Sequence, residues 1–139
     1  MDKAKTVLIV GIVLILWNLL GIYAFVHDFA QTPADLAKLP ASQSAMYAGM
    51  RSWEWGVYGV GTITGFIGAL GIALKRGWAA LASLISLIAV AIQFGHAFIA
   101  RVGANSWDPG AIGFVGFIVL ICALQYYLAR RWAGKGLLV

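Results

Sequence analysis

Four stretches of this chain are apolar for about the length that crosses a lipid bilayer, and nothing else in the sequence limits the fold as strongly. About 20 apolar residues span the hydrocarbon core as a helix. Residues 6–26, 53–74, 78–100 and 111–128 approach or exceed that length. In lipid every backbone N–H and C=O needs a partner within the protein, so each run reads as a helix. The period-two alternation of a membrane barrel is absent. Only 11% of the 139 residues are charged and 62% are hydrophobic, against about a quarter charged in soluble domains. A soluble domain this small has too little interior to hide so much apolar surface. The expected fold is all-α: one integral membrane domain, residues 1–139, built as a four-helix transmembrane bundle.

The first run follows "MDKAK". Its apolar core exceeds the 7–15 residues of a secretory signal, and Asp28 stands where small residues would mark a cleavage site, so it reads as a retained span. If the four runs alternate in direction, Lys3, Lys5, Lys75, Arg76, Arg130, Arg131 and Lys135 gather on one side. Lys38, Arg51 and Arg101 fall on the other, together with Asp28, Asp35, Glu54 and Asp108. The positive-inside rule then predicts that both termini are cytoplasmic. Trp53, Trp55, Trp78, Trp107 and Trp132 sit near span ends, as an aromatic belt requires, whereas Trp17 lies well inside the first span. Between the first two spans, "TPADLAKLP" offers Thr32 as a cap, Pro33 at the first helical position and Pro40 as a stop. One or two short helices are expected over the outer face.

The second span holds six glycines between Gly56 and Gly71, below an acid, Glu54. At 100° per residue, Glu54, Tyr58, Gly61, Gly65 and Gly68 share an arc of about 80°. Small residues at that spacing let helices approach closely in lipid, so this face is expected against protein, and Glu54 with it. Gly56 and Gly59 lie on the opposite side and are candidates for a second neighbour. In the first span Gly11, Asn18 and Gly21 share a face; in the third, Ser83, Ser86, Gln93 and His96 do. In the fourth, Gly110, Gly113, Gly116 and Tyr127 line one side, with Gln125 off it. If these faces converge, Asn18, Thr62 and Gln93 lie below Glu54, Tyr58 and His96 in a polar funnel open to the outside. Glu54, His96, Asn18, Gln93, Thr62 and Tyr58 are thus the candidate ligand-binding residues. Helix-to-helix hydrogen bonding is the competing role for the uncharged ones. An interfacial pairing of Glu54 with Arg51 or Arg101 competes for the acid.

Other chemistries find less support. The net charge of +5 is spread over helix ends rather than in a basic patch, which argues against a nucleic-acid partner. His27 and Asp28 read as solvated at a helix end, and the sequence has no HxxxH or HExxH, so no metal or cofactor is expected. With no GxSxG either, catalysis ranks last. Cys122, inside an apolar run, reads as a buried thiol.

"LWNLLGIYAFV" (residues 16–26), "GFIGALGIALKRGWA" (65–79) and "SLISLIAVAIQ" (83–93) together resemble a group of small bacterial four-helix membrane proteins, some of them labelled sugar transporters. The resemblance implies the four-helix fold, a bacterial inner membrane and some weight for transport. The expected function is binding or transport of a small polar molecule, as a homo-oligomer. The alternative is a non-catalytic accessory subunit packed against a larger membrane complex, with Gly56 and Gly59 as its exposed glycine surface.

Overall fold

The computed structural model describes residues 1–104 and 109–139. The described residues form six helices: α1 (Lys3–Phe29), α2 (Pro33–Leu36), α3 (Ala41–Ala48), α4 (Ser52–Ala73), α5 (Ala79–Ala104) and α6 (Pro109–Gly134). α1, α4, α5 and α6 are each long and apolar enough to cross a membrane, so the chain is compatible with a multi-pass membrane protein. α1 and α6 overrun their apolar runs at both ends, and α5 at its C-terminal end, because end turns carry interfacial polar residues without leaving the helix. Trp107 and Asp108 lie outside the described residues.

The loop helices follow the sequence signals. The Thr32 hydroxyl accepts from the Asp35 backbone N–H, and the Asp35 carboxylate accepts from the Thr32 N–H at 3.0 Å, closing a capping box. α2 is shorter than expected. It ends at Leu36, and Pro40 opens α3 rather than stopping its predecessor.

α4 is the central helix, packing mainly on α1 and α5 with a smaller contact to α6. Its glycines explain how one helix takes several close neighbours. A Cβ at Gly61 would meet Val90 of α5 at 3.3 Å, and one at Gly59 would meet the Phe25 ring of α1 at 3.1 Å. Gly65 faces Asn18 of α1 and Ser86 of α5; Gly68 faces Ser83 of α5 and Gln125 of α6. Gly59 is therefore buried in the bundle, contrary to the expectation that it is left for an outside partner, because Phe25 reaches across to it. Gly56 is open, with nothing within 4 Å of a Cβ there.

The tightest packing lies at the end holding the chain termini. Val7, Leu14, Ala69, Ile72, Ala79, Ala129 and Leu138 form the buried cluster. The α4–α5 turn passes through Lys75 in a left-handed conformation, φ 58°. The C-terminal residues dock on that turn: the Val139 N–H donates to Lys75 C=O at 2.9 Å, and the Gly77 N–H donates to Val139 C=O at 3.1 Å. At the opposite end Phe25, Phe29, Tyr47, Trp55 and Tyr58 form a chain of ring contacts joining α1, α3 and α4.

Candidate functional site: a carboxylate and imidazole pair between two helices

Two separate polar systems occupy the bundle. The deeper one centres on Gln125, which is 3% exposed. Its Nε2 donates to Gly65 C=O at 2.9 Å and to Ser83 Oγ at 3.1 Å; its Oε1 accepts from Asn18 Nδ2 at 2.9 Å. Asn18 Nδ2 also donates to Leu14 C=O at 2.8 Å. Nearby, Ser86 Oγ donates to Gly61 C=O at 2.7 Å. One glutamine thus ties α1, α4, α5 and α6 together. The missing side chain of Gly65 makes room for Asn18 and leaves its own carbonyl within reach.

This overturns the expected facing of α6. Gln125 points inward, while Tyr127 is exposed and Cβ atoms at Gly113 and Gly116 would meet nothing within 4 Å. An unpaired amide in lipid costs more than an uncovered glycine, so the glutamine sets the rotation of the helix. Gln125 is the residue that small-residue spacing missed. An amide deep in an apolar run was the available signal.

The second system lies toward the other end. Glu54 sits in the first turn of α4, where its Oε2 accepts from the Arg51 backbone N–H at 2.7 Å. Its Oε1 lies 3.0 Å from His96 Nδ1 of α5. Arg51 therefore meets Glu54 through its backbone. The Glu54 side chain is 15% exposed and that of His96 45%. The Trp53 ring stands edge-on to the imidazole at 4.8 Å between centroids. With Nδ1 turned to a carboxylate, a neutral ring carries its proton there and presents Nε2 as an acceptor; a protonated ring presents a second donor. Two helices and a tryptophan hold the ring, and nearly half of it stays accessible.

A third contact is at the end of α1. Tyr58 donates its hydroxyl proton to Asp28 Oδ2 at 3.0 Å, and His27 Nδ1 lies 3.3 Å from Asp28 Oδ1. Asp28 is only 15% exposed, so it is covered rather than solvated as its position suggested.

The six sequence candidates thus distribute over several places. Glu54 and His96 pair directly. Tyr58 joins Asp28. Asn18 joins Gln125. Thr62 bonds back to its own helix, to Tyr58 C=O and Gly59 C=O at 3.2 and 3.1 Å. Gln93 is half-buried and joins neither network. Among the described residues no group of three metal-ligating side chains comes together. No family model, curated protein or solved structure matches the chain.

Proposed function

We propose that the chain is a membrane binding protein whose contact with a small polar molecule is the His96 imidazole, held by Glu54. One observation carries this reading: a half-exposed ring is positioned by a mostly covered carboxylate at 3.0 Å. Such a ring accepts a hydrogen bond from a ligand, or takes its proton, without losing its orientation. The deeper network does not extend this site into a path across the bundle, because Asn18, Ser83 and Gln125 bond one another. If the protein moves its ligand across the membrane, a second copy or a partner completes the route. The test is purification in mild detergent followed by mass spectrometry of retained small molecules. Glu54→Gln and His96→Phe are expected to lose a species that the native protein keeps, with unchanged melting temperatures. Identical retained species in all three proteins would overturn the reading.

A second reading, a subunit packed against other membrane helices, is favoured by Gly113 and Gly116 on α6. They are uncovered beside exposed Phe114, and small residues permit close helix approach. Gly113→Leu is then expected to shift the protein to a smaller assembly in native electrophoresis. An unchanged assembly would count against it.

A further inference from the structure

At the C-terminal end of α1 the chain turns back through α2, and an open pocket of about 500 Å³ lies between them. Tyr23, Val26 and Leu39 supply its apolar wall; His27, Gln31, Asp35 and Lys38 supply the polar groups. It shares no residue with the His96–Glu54 pair, so a result here leaves that reading untouched.

One atom in this wall is unexplained. Gln31 Oε1 is shielded from water and has no hydrogen-bond donor among the described residues. Buried acceptors in folded proteins are nearly always paired, so an orphan points to a missing partner. The terminal torsion of glutamine is soft, so the amide can turn to meet a donor entering the pocket. Beside it stand charges of both signs. Lys38 carries an ammonium. Asp35 carries a carboxylate, whose Oδ2 accepts from the Thr32 N–H and hydroxyl. The position also matters: Tyr23 and Val26 are exposed on the long apolar face of α1, below the pocket, and His27 lies in the last turn of that helix. A molecule seated here has its polar part at the level of lipid head groups and its apolar part against a membrane-facing surface.

We propose that this pocket binds an amine-bearing zwitterionic phospholipid, with its phosphate at Lys38 and its primary ammonium donating to Gln31 Oε1, the Asp35 carboxylate serving beside it as counter-charge alone. The acyl chains run down α1 past Val26 and Tyr23. A choline head group has the same charges but no N–H, so it cannot satisfy Gln31. A glycerol head group has hydroxyl donors but no cation for Asp35. The ammonium therefore sets the preference and the lysine sets the general affinity.

The experiment is native mass spectrometry of the full chain in mild detergent. Phosphatidylethanolamine, phosphatidylcholine and phosphatidylglycerol with identical chains are added in turn. Native protein is expected to retain the ethanolamine lipid about tenfold over the choline lipid, the size of one hydrogen bond to a charged group. Gln31→Met is expected to abolish that preference while still retaining phospholipid. Lys38→Gln is expected to lower ethanolamine and choline lipids by similar factors. Equal retention of the two by native protein, preference for phosphatidylglycerol, or a preference that survives Gln31→Met would each overturn the proposal. So would full competition by chain-free glycerophosphoethanolamine, which would make the ligand a soluble one. If Gln31→Met lowers the melting temperature, Gln31→Glu keeps the acceptor and must keep the preference.

Discussion

A single missing methyl group decides how α1, α4 and α5 meet. A Cβ at Gly65 would collide with Asn18 Oδ1 and lie 2.9 Å from Ser86 Oγ. Both are polar atoms facing buried surface, and neither can withdraw into lipid without cost. Gly65→Ala is expected to destabilise the fold by ~1–3 kcal/mol, the usual penalty for overfilling a packed contact, as read by unfolding in mixed micelles. Gly95→Ala is the control. It meets open space and is expected within ~0.5 kcal/mol of the native protein. If the two variants behave alike, the close approach at Gly65 is wrong. The Gly61, Gly65 and Gly68 face was legible in the sequence because spacing alone puts those glycines together. That Gly59 serves α1 was not, since it depends on Phe25 reaching across. Asp35 gives a residue-scale prediction in pH. The Thr32 backbone N–H first, and then its hydroxyl, hold the Asp35 carboxyl below the ordinary value of 3.8. An acid depressed in the folded state stabilises that state above its unfolded value and loses the contribution as pH falls through the folded one. Protection of the Thr32 and Asp35 amides, corrected for their intrinsic exchange rates, is therefore expected to fall as pH drops below the ordinary value of 3.8, and Asp35→Asn should flatten that dependence.

Three of the four long helices have an identifiable feature that fixes their rotation, and the features differ. α4 is fixed by its glycines, α5 by Ser83, Ser86 and Val90 facing α4, and α6 by Gln125. The four membrane-length helices, the Thr32 cap of α2 and the Glu54–His96 juxtaposition were all readable from apolar length, turn chemistry and helical spacing. The rotation of α6 was not, because two opposite faces each offered a rule. A stripe of small residues favours close packing, whereas a buried amide demands a partner. The second outweighs the first when hydrocarbon is the only alternative solvent. Gln125→Leu tests that ranking. It removes the donor to Gly65 C=O and Ser83 and the acceptor for Asn18, at an expected cost of ~1–2 kcal/mol for polar contacts between membrane helices. Gln125→Glu keeps the acceptor for Asn18 and loses the paired donor, so it separates loss of bonding from loss of shape. A neutral outcome for Gln125→Leu would mean that apolar packing alone fixes α6.

At the scale of the whole molecule the charge distribution predicts which end faces which compartment. The start of α1, the α4–α5 turn and the end of α6 meet at one end: Val7, Ile72, Ala79, Ala129 and Leu138 share a cluster there, and Val139 pairs with Lys75 and Gly77. Lys3, Lys5, Lys75, Arg76, Arg130, Arg131 and Lys135 accordingly belong to that end. The other end carries α2, α3, the aromatic cluster, the His96–Glu54 pair and the Gln31 pocket. A basic excess on short connections holds an end in the cytoplasm during insertion. Cysteine labelling in intact cells with a membrane-impermeant reagent checks the orientation. Cys122 lies within the apolar length of α6 and is partly covered, so it is replaced by Ser to leave a single reporter. Gln43→Cys on exposed α3 is expected to label, and Lys135→Cys is expected to label only after the cells are opened. Gly136 is a poor reporter because its φ of 68° disfavours a side chain. The reverse pattern would turn both proposed sites toward the cytoplasm. A ligand at His96 would then be supplied from inside the cell, and the lipid pocket would draw on the inner leaflet. The same two labels thus decide which leaflet and which solute pool the binding experiments must supply.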